Sequence, residues 1–176
     1  MQSQSTSSNT SSDEAAIRDL YHQLMAGWNR GSGQEFAAPF TETADFVAFD
    51  GSRFKGRQEI ARSHQPLFDT HLKGTQLVGD VTSVRWLSPD VALIHAVGGT
   101  VMRGKSAPTA ERDSIQTLVA IKSGGEWHLD AFQNTRVRPI GRSTAGTLLW
   151  LGFDWLWKLL HHMPAGSLRS AAKHGA

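Results

Sequence analysis

A single histidine stands in an otherwise apolar run, Val91-Ala92-Leu93-Ile94-His95-Ala96-Val97. Imidazole titrates near neutral pH, so a histidine held among apolar side chains can serve as a general base. The plainer alternative is a buried histidine paired with a neighbouring acceptor. Asp113 is the second candidate acid–base group, with Arg112 beside it. Strand neighbours point to opposite faces, so one of this pair can face a cavity while the other makes an ion pair at a surface. Four further side chains are candidate ligand contacts. Trp28 ends the apolar stripe of the first helix, His64 shares a helical face with Ile60 and Leu67, and Asn134 alternates onto the same strand face as Phe132. Gln116 and Gln133 fall, on this reading, to the opposite face of the sheet.

Several chemistries lack their residues. The chain has no cysteine, which excludes disulfides, thiolate metal sites and cysteine nucleophiles. No two histidines stand at metal-ligating spacing, and the pair His161-His162 splays over a helix surface. Gly98-Gly99 lies inside a strand and reads as a bend rather than a phosphate loop. No metal and no cofactor is therefore expected.

Charge is unevenly placed. Of the 18 Lys and Arg, six fall in residues 136–176 against one acid there, Asp154, while the first 135 residues carry 12 against 15 acids. The pI of 9.2 thus belongs to the tail, and the mildly acidic remainder argues against nucleic-acid binding. The 176 residues suffice for one domain with extensions.

Residues 1–12 are almost wholly polar, lack the apolar core of a secretory signal and read as a disordered leader of a cytoplasmic protein. Ser11 and Glu14 match a capping box, after which Ile17, Leu20, Tyr21, Leu24 and Trp28 recur at the helical period. Gly31 and Gly33 end this helix, and a short one follows around Phe36. Residues 44–50 read as a strand, Phe54-Lys55-Gly56 as a short return, and a third helix starts near Arg57 with a kink or break expected at Pro66. Four long strands complete the order, with a bulge expected at Gly79-Asp80. The last two strands, within residues 111–137, alternate with period 2 and meet at Ser123-Gly124-Gly125-Glu126, a turn that requires positive φ.

Residues 144–163 read as a further helix, apolar around most of its circumference, with a narrow polar stripe of Thr147, Asp154, Lys158, His161 and His162. The apolar run from Leu148 to Leu160 makes roughly 20 Å of helix, short of the roughly 30 Å of a bilayer core. Three homes are open to it: a dimer partner, a membrane surface, or the mouth of a pocket. Bordering tryptophans and flanking Arg136, Arg138, Arg142, Arg169 and Lys173 suit a peripheral membrane contact, while Asp154 and the single Lys158 weaken it.

The segments ADFVAFDG, FKGR, His64 to Thr70, SPDVALIHAVGG and ERDSIQTLVAIKSGGEW with AFQNTR resemble the SnoaL-like branch of the nuclear transport factor 2-like superfamily. They are most similar to the SnoaL-like proteins of enediyne and other polyketide gene clusters. The resemblance covers roughly residues 13–137. It implies an α+β fold, cone-shaped and cystatin-like, with a curved antiparallel sheet and three N-terminal helices, to which the C-terminal amphipathic helix is added. It divides the chain into a leader at 1–12, a domain at 13–138 and a basic extension at 139–176. It also implies a homodimer and a pocket that takes a small hydrophobic, polyketide-like ligand. An outer sheet face carrying Gln116, Leu118, Trp86 or their neighbours is too apolar to leave wet, so the dimer is expected to form sheet to sheet. By the same matching His95 points into the cone. The ketosteroid isomerase positions of the superfamily fall on Ala48, Leu24 and near Thr117, so that machinery is missing. Arg112, Asp113 and Asp130 have the residue types of the epoxide hydrolase branch without its motif. Two functions follow: acid–base catalysis centred on His95, or a non-catalytic ligand-binding or dimerisation module.

Overall fold

The computed structural model describes residues 3–109, 112–137, 148–149, 151–153 and 155–157. The chain divides into two units at Val137–Arg138. The first contains helices α1 (Ser3–Asn29), α2 (Gly33–Ala37) and α3 (Gly56–Asp69) and strands β1 (Phe40–Val47), β2 (Arg53–Lys55), β3 (Gln76–Ser88), β4 (Val91–Val101), β5 (Asp113–Ser123) and β6 (Glu126–Arg136). Among the described residues of the second, 148–149, 151–153 and 155–157 are helical. Their large side chains, Leu148, Leu149, Leu151, Phe153, Trp155, Leu156 and Trp157, are exposed. The rest of the expected helix 144–163, including its polar stripe, lies outside the described residues.

The six strands form one sheet in the order β2-β1-β6-β5-β4-β3. It is mixed rather than wholly antiparallel, because β1 runs parallel to β6. The cause is the route of the chain. After β2 and α3 it crosses to the far edge, and three successive hairpins walk it back until β6 lies beside β1. The hairpin turn between β5 and β6 has φ of 62° at Gly124 and 89° at Gly125, the backbone that the two glycines were expected to supply.

The helices cover one face. Ile17, Leu20, Tyr21 and Leu24 of α1 are buried against it, with Phe36, Phe40, Phe46, Ile60 and Phe68 alongside. Asp13 holds α1 to the far hairpin: its Oδ1 accepts from Lys122 Nζ at 2.8 Å and from Trp127 Nε1 at 3.0 Å.

Three local expectations are corrected. The backbone of α1 is already helical at Ser3, so the segment read as a leader forms the first turns of that helix. Once the packed turns around Ile17 nucleate a helix, each further residue adds a hydrogen bond, even where the sequence offers no apolar face. Next, α3 continues through Pro66 to Asp69, so of the kink or break expected there the break is absent. The proline is exposed and leaves only the last turn to form beyond it. Finally, β3 shifts register between Val81 and Ser83 and again between Trp86 and Ser88, not at Gly79-Asp80. Gly79 instead stands opposite Gly98, and a Cβ on Gly79 would lie 2.9 Å from the Tyr21 hydroxyl. The two glycines give α1 close access to the sheet.

Candidate functional site

Between the helices and the inner sheet face lies a cavity of about 150 Å³. Its walls differ in character. One is aromatic and aliphatic: Leu24 and Trp28 from α1, Phe36 from α2, Phe46 from β1 and Phe132 from β6. Phe46 and Phe132 stack with centroids 4.6 Å apart and planes 8° from parallel. Trp28 is pinned by its indole N–H, which donates to Thr75 Oγ1 at 3.0 Å.

The other wall is a polar ladder set by strand register. Gln116 of β5 stands opposite Asn134 of β6, and Ser114 opposite Arg136. The Tyr21 hydroxyl donates to Gln116 Oε1 at 3.1 Å, and Gln116 Nε2 donates to Ser114 Oγ at 2.7 Å and to Asn134 Oδ1 at 3.4 Å. Ser114 Oγ donates onward to the Gly98 carbonyl at 3.2 Å. This chain uses the acceptors of Gln116 and Asn134 and leaves Asn134 Nδ2 without a hydrogen-bond partner among the described residues. Burial pushes the Tyr21 phenol up to about 12, with the Asp80 charge adding to the effect, so it is a proton donor throughout the physiological range. At the mouth, Arg112 and Arg136 line the cavity, and the Arg136 guanidinium lies 4.1 Å from the centroid of the Phe49 ring.

Trp28, Phe132 and Asn134 of the expected set line this cavity. His64 lies behind its aromatic wall. It is buried, its ring centroid is 4.5 Å from that of Phe36, and its Nδ1 donates to the Ile60 carbonyl at 2.8 Å. Burial holds its pKa below the ordinary histidine value, partly countered by that carbonyl.

His95 is on the other side of the sheet. Ala92, Ile94 and Ala96 are buried beneath the helices, so alternation turns Leu93, His95 and Val97 outward, and His95 is exposed with Nδ1 3.4 Å from Ser83 Oγ. The expectation that it lines the cone is corrected. Asp113 does not line the cavity either; one of its carboxylate oxygens lies 3.3 Å from where a Cβ of Gly99 would stand. Of the pair, Arg112 faces the cavity. Asp130 is at the other end of the hairpin, accepting from Thr41 Oγ1 at 2.7 Å, so Arg112, Asp113 and Asp130 form no cluster. Gln116, expected on the outer face, is buried in the site, and Leu118 is fully buried beside it. Sequence reasoning missed Tyr21, Ser114 and Arg136 as site residues. The signal available for Tyr21 was its place on the buried stripe, one turn before Leu24.

A model of the SnoaL-like domain matches residues 9–133, and this chain belongs to that family. A domain of unknown function with a cystatin-like fold from Nostoc punctiforme PCC 73102 is 38% identical, with a TM-score of 0.72 over 85% of this chain and 98% of its own. Two further solved structures share the fold at low identity. LinA has a TM-score of 0.63 at 12% identity, covering 74% of this chain and 89% of its own. Hexachlorocyclohexane dehydrochlorinase LinA-type3 from Novosphingobium barchaimii LL02 has 0.59 at 13%, covering 74% and 90%. No curated protein shows significant sequence similarity.

Proposed function

We propose that this chain binds a small organic ligand in the cone cavity and does so without turning it over. The carrying observation is the division of the cavity into an aromatic wall and a polar ladder that leaves Asn134 Nδ2 to a ligand, which together orient a molecule with one apolar and one polar side. An apolar cavity of roughly 150 Å³ takes a molecule the size of benzene. A polyketide-like ligand of several rings therefore places one ring inside and extends the rest through the mouth. Catalysis is the second reading of the fold, but the titratable groups among the described lining residues are Tyr21, Arg112 and Arg136, which supply proton donors and positive charge rather than a base. The binding unit is proposed to be a homodimer paired through the outer sheet face.

The test is a screen of single-ring aromatic compounds by ligand-observed NMR, repeated on Phe132→Trp, which fills the cavity. Binders lost in the variant support the reading. Binders unaffected by it, or no binder at all, would sink it.

A further inference from the structure

The hydrogen bonds along the polar wall run in one direction. Ser114 spends its hydroxyl hydrogen on the Gly98 carbonyl at 3.2 Å, so its oxygen accepts, and Gln116 faces it with Nε2 at 2.7 Å. The Gln116 oxygen is thereby turned to Tyr21, whose hydroxyl donates to it at 3.1 Å. The second Nε2 hydrogen meets Asn134 Oδ1 at 3.4 Å, since an amide nitrogen there would set donor against donor. The end of the run is fixed in this way: Asn134 turns its NH2 away from the ladder. Among the described residues every buried side-chain nitrogen and oxygen has a partner. Asn134 is half-buried and its Nδ2 has none among them, so this nitrogen is accessible at the cavity that Asn134 lines.

Resting on the binding reading above, we infer that the ligand presents a neutral hydrogen-bond acceptor to Asn134 Nδ2: a ketone or aldehyde carbonyl attached to an apolar ring. Phe132 and Asn134 leave β6 on the same face and both line the cavity. Alternate residues of a strand stand roughly 7 Å apart, about the span of a ring lying on Phe132 with its carbonyl directed at Asn134. A carbonyl oxygen only accepts, and the free group of the ladder only donates. A hydroxyl would bring a hydrogen of its own to a ladder whose amide oxygens each already accept one. A carboxylate placed on Asn134 would be stripped of water beside four uncharged groups, Tyr21, Ser114, Gln116 and Asn134, and one amide N–H returns little against that cost.

The test uses the full chain and two probes of nearly the same shape, acetophenone and α-methylstyrene, which differ in having C=O or C=CH2. Both are titrated by NMR against the parent and Asn134→Leu, which keeps the side chain's size and removes its amide. Asn134→Leu should weaken acetophenone about fivefold relative to α-methylstyrene, the size of one neutral hydrogen bond. Comparing each probe with itself across the two proteins cancels their different affinities for water. In the parent, the Asn134 side-chain amide signals should shift with acetophenone and not with α-methylstyrene. Retained α-methylstyrene binding shows that the variant cavity is intact. If the variant binds neither probe, the parent's amide signals decide: a shift with acetophenone alone supports the carbonyl contact, and equal shifts or none overturn it. An acetophenone affinity indifferent to Asn134→Leu, or both probes weakened alike, would overturn the carbonyl inference while leaving the binding reading standing. Failure of both probes to bind the parent would bring down both.

Discussion

At the scale of single residues, His64 is the group whose environment makes a clear demand. Four aromatic rings come near it, those of Phe36, Phe46, Phe54 and Phe68, and none can solvate an imidazolium. Its folded pKa is held below the unfolded value of 6.5 by burial. A base with a depressed folded pKa binds more protons when unfolded, so it contributes stability that is fully present above 6.5 and is lost as pH falls below it. Thermal melts from pH 7.5 to pH 5 should therefore show a falling midpoint, and His64→Phe should flatten that slope even if it shifts the whole curve. An unchanged slope in the variant would refute the assignment. Residue scale is also where the sequence was least legible. Trp28, Phe132 and Asn134 could be read because a helix stripe and a strand alternation each had one plausible inner side. His95 and Gln116 could not. In β4 and β5 the outward Leu93, Val97, Ile115 and Val119 are as apolar as the inward Ala92, Ala96 and Ser114, so polarity gives no vote on which face is the core.

The elements were more legible than the residues, because each strand and helix carries its own period and its own punctuation. The paired glycines of the β5–β6 turn and the stripe of α1 needed no tertiary information. What needed it was the start of α1, set by packing further along, and the place of β1 in the sheet, set by the route of the chain. Two element contacts can be tested. Asp13 links α1 to the β5–β6 hairpin through Lys122 and Trp127, and its pKa is lowered chiefly by the Lys122 hydrogen bond. The pair is partly exposed, so Asp13→Ala should cost only about 1–2 kcal/mol. Urea unfolding should show a lower midpoint with an unchanged slope. Gly79 marks the other contact. A Cβ there would stand 2.4 Å from the Val97 carbonyl oxygen and 2.8 Å from Gly98 Cα, both backbone atoms with little freedom to yield. Gly79→Ala should destabilise by about 1–3 kcal/mol, as over-filling a packed site does. A variant as stable as the parent would mean that the β3–β4 pair is looser than its register implies.

At the scale of the whole molecule, the open sheet face is what remains to be covered. Its centre is made of register neighbours, Leu93 beside Val119 and Val97 beside Ile115, and Val97 and Ile115 are 44% and 46% exposed. The residues first expected there, Gln116, Leu118 and Trp86, pack against the core; on β5 the odd-numbered neighbours take the place. Two apolar pairs flanking the outward His95 and Thr117 on β4 and β5 are the kind of surface that a second copy buries. A competing seat for self-association is the exposed set Leu148, Leu149, Leu151, Phe153, Trp155, Leu156 and Trp157. None of the helices among the described residues is long and apolar enough to cross a membrane, which leaves partner packing and surface attachment for that set. Sedimentation equilibrium separates the seats. If the sheets pair, a chain ending at Val137 should remain dimeric at micromolar concentration, and Val97→Arg with Ile115→Arg should make even the full chain monomeric, since two unpaired charges would be buried per copy. If the shortened chain is monomeric and the double variant is not, the seat lies beyond Val137 and the sheet proposal fails. Co-sedimentation with anionic vesicles completes the comparison: vesicle binding by the full chain that the shortened chain loses assigns the apolar residues 148–157 to a lipid surface, and its absence assigns them to protein.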